Sequence, residues 1–347
     1  MFTALGIGAI LSSTVAVGQT AMFSVKELTN LPGNTAAAAT SINNAGDVVG
    51  IVSPSEVLQP QYGVIWQNGT PTLLGAVAGA TQSTPVSINN AGQVVGNVQT
   101  AIGNQAVIWN NGTPTLLPSP SSQYRQTFAS FLNDAGQIVG YAESGSGSQL
   151  AVVWSGLTPT ELGLDGNEFG EPSGINSGGL IVGNIHNAPV VWHGTLPIKL
   201  PLNPGIGGGK ALAVNNAGII VGVTASPQTG TYSSRATAWA NGSMTDLGTL
   251  SGESAAYAVN NRGIIVGKSW ATGAKGPHAV VWGRMDAPIQ DLNDLISATA
   301  ASEVVLQGAY AINDNCTIVV EGFPRKTKVY QAFLLILNDP TQCVNGL

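Results

Sequence analysis

Charged side chains are scarce in this sequence. They make up 9% of its 347 residues, with twelve Lys plus Arg against eighteen Asp plus Glu, where a typical soluble domain carries roughly 25%. The net charge of −6 excludes a general nucleic-acid binder, which needs a basic face. Disorder is excluded as well, because it requires low hydrophobicity and high net charge, and 44% of this chain is hydrophobic. Apart from the N-terminus, no segment sustains a 3.6-residue apolar period, so a helical fold is excluded. The sequence has no G-x-S-x-G elbow, no H-E-x-x-H pair and no C-x-x-C pair, which removes the frameworks those motifs build. Glycine, by contrast, is abundant, and its 45 copies show no three-residue period, so collagen is excluded too.

What is present is a repeat. The element N-x-x-G-x-hydrophobic-V-G runs over 43–50, 89–96, 133–140, 176–183, 215–222, 260–267 and, in degenerate form, 313–320. Successive copies start 39 to 53 residues apart. A short apolar run ending in Trp follows six of them, at Trp66, Trp109, Trp154, Trp192, Trp239 and Trp282, and Leu335 takes the seventh place. Only Trp270 lies outside the series. After each Trp comes a turn such as N-G-T-P-T and then a Leu-rich stretch.

Each unit therefore reads as four short strands. Asn bonds its own backbone at the start of the first turn and Gly takes the left-handed conformation, while Asn-Gly opens the turn into the fourth strand. Four strands every ~40–45 residues is the period of a propeller blade. The expected fold is all-β: a seven-bladed β-propeller with four antiparallel strands per blade. The last unit stops short of a fourth strand, and K-E-L-T-N-L-P-G (26–33) matches T-D-L-G-T-L-S-G (245–252), the fourth strand of the sixth unit. An N-terminal strand is thus expected to complete the last blade and close the ring, hiding two sheet edges. The Trp series is expected to pack between blades.

The third-strand segments G-P-H-A-V-V-W (276–282) and Q-A-F-L-L (331–335), together with the N-x-x-G-x-[VI]-V-G element, make the chain similar to the HAF repeat family of probable extracellular bacterial repeat proteins. The resemblance spans about residues 22–337 and implies secretion and a repeat-built structure. It brings no catalytic residue. The His-Ala-Phe triplet survives only in part, as His278-Ala279 and as Ala332-Phe333.

Three regions follow from this reading. Residues 1–21 form an apolar, signal-like segment without charge, too short and Gly/Ser-rich for a stable membrane span. Residues 22–337 form the propeller, and 338–347 a C-terminal tail. Cys316 begins the second strand of blade seven and Cys343 follows its third. Neighbouring antiparallel strands bring such positions together, so a disulfide is expected, closing 27 residues and worth ~3–4 kcal/mol. It suits an extracellular or cell-surface setting.

Functional candidates gather on one face. The strand 2–3 loops and the connections between blades vary in length and composition, and in an up-and-down blade both emerge on the same side. That face holds Arg235, Lys268, Trp270, Lys275, Arg325, Lys326 and Lys328, with Tyr232 among them, and an acidic sector of Glu143, Asp165, Glu168 and Glu171. These residues are read as a binding surface for an extracellular glycan or surface protein. The leading expectation is a secreted, non-enzymatic scaffold or adhesion propeller without cofactor or metal. A second is a carbohydrate-active enzyme, a lyase or glycosidase, using Glu168, Glu171, Tyr124, Arg125 and His278. A third is a homo-oligomer or filament built through the apolar N-terminus.

Lesser motifs read as structure. G-I-G-G-G-K-A (205–211) lacks the Ser or Thr of a phosphate loop and is expected to connect blades. His186 and His193 are expected at the surface. The sequons at Asn68, Asn111, Asn241 and Asn315 mostly coincide with turns.

Overall fold

The computed structural model describes residues 21–54, 60–166, 169–226 and 233–345. Residues 1–20, and with them nearly all of the signal-like segment and the proposed filament contact, lie outside the described residues, as do Glu168 and Tyr232. The chain forms seven four-stranded antiparallel sheets. Blade 1 runs from Ala36–Ile42 to Thr70–Leu73, blade 2 from Gln82–Ile88 to Thr113–Leu116, and blade 3 from Tyr124–Leu132 to Thr158–Glu161. Blade 4 spans Gly170–Ile175 to Leu196–Lys199, blade 5 Gly208–Val214 to Ser243–Asp246, and blade 6 Ser254–Val259 to Gln290–Asp291. Blade 7 takes Val304–Ile312, Ile318–Pro324 and Gln331–Leu337 from the C-terminal end, and its fourth strand is Phe23–Glu27. Phe23 pairs with Leu337 and Glu27 with Phe333. The ring is closed by the strand the sequence predicts.

Turn chemistry explains the hairpins. Asn68-Gly69, Asn111-Gly112 and Asn241-Gly242 all have φ between 48° and 84°, the doubly left-handed turn that matches strand twist. In the first hairpin of blades 1 to 6 the glycine of N-x-x-G has φ between 77° and 88°. Blade 7 places Cys316 there at φ 61°, and its sulfur bonds to Cys343, 5.8 Å away between Cα atoms. The expected disulfide is present, and it ties the short helix Gln342–Asn345 to the last hairpin.

The second glycine of the motif serves a different end. Each inner strand bulges by one residue, for example between Ala129 and Phe131 or Ala256 and Ala258. The bulge drives a carbonyl toward the second strand. A Cβ on Gly140 would run into the carbonyl oxygen of Phe128, and one on Gly267 into that of Ala255. Glycine is required here by close approach of the backbone, with an ordinary φ. In blade 7 Val320 stands opposite the bulge, and Gly322 faces a second one between Leu306 and Gly308.

Packing between blades rests on the repeated Trp. All six are at most 1% exposed, and each Nε1 donates to a carbonyl of the preceding blade at 2.7–2.8 Å. Trp154 reaches Pro118, Trp192 reaches Gly163, and Trp66 reaches Thr29, just past the closing strand. Leu335 stands opposite Ile318 as Trp154 stands opposite Ile138, which confirms it as the seventh member. Burying a Trp removes about 150–250 Å² from water. Trp154→Ala is expected to lower unfolding free energy by about 3–5 kcal/mol, read by guanidinium denaturation. Trp270→Ala, at a side chain 40% exposed, should stay within about 0.5 kcal/mol.

Candidate functional site

The two faces of the disc differ in kind. On the hairpin face, residues ending all seven inner strands surround the axis and enclose a pocket of about 140 Å³. The motif asparagines, Asn43, Asn89, Asn133, Asn176, Asn215, Asn260 and Asn313, are all buried there. Each Oδ1 accepts the N–H four residues on, as Leu180 donates to Asn176. Each Nδ2 donates to the carbonyl of the corresponding Asn in the next blade: Asn43 to Asn89, Asn89 to Asn133, and so on around to Asn313, which donates to Asn43. The circuit closes. A second, outer series runs one residue later and is interrupted between blades 3 and 4, with Asn261 N–H donating to Asp314 Oδ1 at 2.8 Å and Asp314 N–H to Asn44 Oδ1 at 2.9 Å. Burial would raise the Asp314 carboxyl, yet hydrogen bonds from Asn261 and Asn44, with the Arg262 charge, hold it below its ordinary 3.8. These polar groups answer one another and are structural.

The opposite face carries the varied loops. Arg235 lies on the third strand of blade 5 and forks onto Asp246 at 3.1–3.3 Å. Lys268 sits with its ammonium 5.6 Å from the Tyr257 ring centroid. Tyr257 stacks on Tyr310 of the next blade at 5.1 Å, and the Tyr310 hydroxyl bonds Glu321. Burial, with the Glu321 charge, pushes that phenol well up, and burial raises Glu321 in turn against the Tyr310 bond and Lys268. Trp270 ends the second strand of blade 6, half-exposed. In the acidic sector, Glu171 pairs with Lys210 of blade 5 at 3.4 Å, and Tyr141 is pushed up to about 12 by burial and by Glu171 and Glu143.

Three of the sequence-predicted cations converge. Lys275 in the 2–3 loop of blade 6, and Arg325 and Lys328 in that of blade 7, line a groove of about 600 Å³ between the two blades. Lys326 is exposed beside it and does not line it. The backbone N–H of Arg325 donates to Glu303 O at 2.7 Å and its Nε to Ala301 O at 3.0 Å, so the short helix Ala298–Glu303 fixes the side chain. His278 also faces the groove. Its Nδ1 donates to Asp291 Oδ2 at 2.5 Å; Asp291 Oδ1 accepts both N–H groups of Asn293, whose amide in turn clamps Leu306 of blade 7. Sequence reasoning missed Asp291 and Asn293, although D-L-N at 291–293 departs from the D-L-G of blade 5.

Four of the five residues named for an enzyme lie among the described residues, on three blades. Tyr124 and Arg125 are on blade 3, Glu171 on blade 4 and His278 on blade 6. His186 lies in the turn before the strand Ala188–His193, and His193 ends that strand. The glycine-rich 205–211 runs into the first strand of blade 5. Among the described residues, no group of three His, Cys, Asp or Glu gathers to hold a metal ion.

Neither a family model nor a curated protein matches the chain, so the HAF resemblance rests on its motifs. Solved structures share the fold. The β-propeller domain of the Trilobed protease from Pyrococcus furiosus, described as having an open velcro topology, aligns with TM-score 0.54 at 10% identity, over 88% of this chain and 98% of its own. YCF48 bound to D1 peptide aligns with TM-score 0.53 at 11% identity, over 92% and 97%. A chain of the Mitotic Checkpoint Complex gives TM-score 0.51 at 12% identity, over 97% and 98%. These neighbours are functionally diverse, and what they establish for this chain is the propeller.

The Asp314 environment sets an acid dependence. A carboxyl held below 3.8 in the fold contributes stability above that pH, and the contribution is lost as pH falls through the folded value. Below about pH 4 the wild type should lose stability more steeply than Asp314→Asn, measured by thermal unfolding across pH. Equal slopes would contradict the role given to Asp314.

Proposed function

We propose that the chain is an extracellular, non-catalytic propeller that binds a surface glycan or surface protein through its variable-loop face. The carrying observation is the asymmetry of the two faces. The hairpin face spends its polar groups on blade-to-blade hydrogen bonds, whereas the loop face of this acidic chain gathers into one groove three cations that have no ion pair among the described residues. Non-repeated residues on a rigid repeat are where binding specificity resides.

One further feature supports an extracellular setting. The Cys316–Cys343 bridge suits an oxidising compartment, and it secures the end of the chain next to the closing hairpin. No helix among the described residues is long and apolar enough to cross a membrane. Of the residues named for the enzymatic alternative, Tyr124 and Arg125 are on blade 3, Glu171 on blade 4 and His278 on blade 6, whereas Lys275, Arg325 and Lys328 share one groove.

The purified full-length protein should bind saturably to members of an array of neutral and acidic glycans or of immobilised surface proteins, and leave them intact by mass spectrometry. Cleaved glycan would overturn the non-catalytic reading. Absence of binding to either class would overturn the binding role itself.

A further inference from the structure

The joint between blades 6 and 7 departs furthest from the repeat. The fourth strand of blade 6 has two residues, Gln290–Asp291, where blades 1 to 5 have four. The connection that follows carries the helix Ala298–Glu303, and its Leu295 carbonyl accepts the N–H groups of Met22 and Phe23 at the closing strand. The shortened strand and long connection leave the groove of about 600 Å³ open between the two 2–3 loops, within the size range of small-ligand sites.

Its lining is chemically divided. Lys275, Arg325 and Lys328 are its cations, and none of them takes part in an ion pair among the described residues. Phe323, with Pro277 and Val305, supplies an apolar wall, and the Phe323 ring is braced edge-on by Tyr330 at 6.1 Å and 88°. His278, Asn293 and Gln307 complete its polar lining. Because His278 Nδ1 is held by Asp291, its Nε2 is the ring nitrogen left for a ligand hydroxyl. Arg325 uses Nε on Ala301, so its two Nη groups are left to face an anion as a fork.

We propose that this groove binds an acidic saccharide, with a carboxylate or sulfate held by Lys275, Arg325 and Lys328 and a sugar ring lying against Phe323. The inference rests on the loop face being the binding face. An apolar wall beside a cation cluster fits a ring that carries its charge on one side, and it is wasted on a phosphate backbone. A nucleic acid would also meet a protein of net charge −6 with only these cations to release its counterions.

The test is isothermal titration of the full-length protein with four probes: a hexuronate tetrasaccharide, a sulfated tetrasaccharide, a neutral tetrasaccharide and a single-stranded oligonucleotide. At least one acidic sugar should bind, with affinity falling as salt rises, at least tenfold tighter than the neutral sugar and the oligonucleotide. The triple variant Lys275→Ala/Arg325→Ala/Lys328→Ala should lose at least tenfold, Phe323→Leu should weaken binding severalfold, and Lys326→Ala should stay within twofold of wild type. Thermal unfolding of each variant establishes that it is folded. Binding that ignores the triple change overturns the groove assignment while leaving the broader binding role intact. Equal binding of the neutral sugar or the oligonucleotide overturns the ligand class. Failure of both acidic sugars overturns the proposal, and only the separate array result decides whether the loop face binds anything else.

Discussion

The side-chain amide of the asparagine that ends each inner strand donates to the backbone carbonyl of the same asparagine one blade on, and the seventh bond returns to the first. A buried amide must place its donors and its acceptor or forfeit about 1–3 kcal/mol for each group left bare. Here one residue meets several demands at once. Its Oδ1 closes the local hairpin, its carbonyl accepts both the turn and the neighbouring blade, and its Nδ2 makes the next joint. No residue without both a donor and an acceptor at that reach can replace it. The bond also fixes the angular spacing of the blades, because each hairpin is clamped to the next at the narrow end of the disc.

Other features of the sequence follow from that clamp. Drawing seven inner strands around one axis forces a bulge in each, and the bulge brings a carbonyl against the second strand, so that strand carries glycine. Farther out the blades spread, and Trp fills the widening gap while bonding the preceding blade. Charge has no place along these surfaces, which is why so little of it is present. None of the twelve cations is buried, and where the repeat relaxes between blades 6 and 7 three of them meet.

The blade count, the closing strand, the Trp series and the disulfide were legible because each is a spacing or a pattern that the chain repeats or completes. Phe23–Glu27 could be assigned because 26–33 copies a segment found elsewhere in the chain. The cross-blade bond of the Asn was not legible. Its local role in the hairpin already accounts for the residue, and nothing in one dimension says that its Nδ2 faces another blade. The glycine of V-V-G hid its reason in the same way, since the clash is with a neighbouring strand. Of the six loop-face cations named from sequence, Lys275, Arg325 and Lys328 meet, while Arg235 is taken by Asp246 and Lys268 lies over Tyr257. Sequence placed them on a face; which ones converge depends on loop paths and on a shortened strand that the repeat did not announce.

Replacing Asn215 by Asp probes the clamp with almost no change in shape. The acceptor for the Ile219 N–H is kept, and the donor to the Asn260 carbonyl becomes a carboxylate oxygen facing an oxygen. Burial and that carbonyl raise the carboxyl's value in the folded state, so the variant's penalty is smallest when the group is protonated and grows as pH rises through it. Guanidinium unfolding of Asn215→Asp against wild type should show a loss of about 3 kcal/mol or more at pH 7 and a clearly smaller one at about pH 4. Equal stability of the two proteins at pH 7 would contradict the claim that the asparagine circuit holds the ring together.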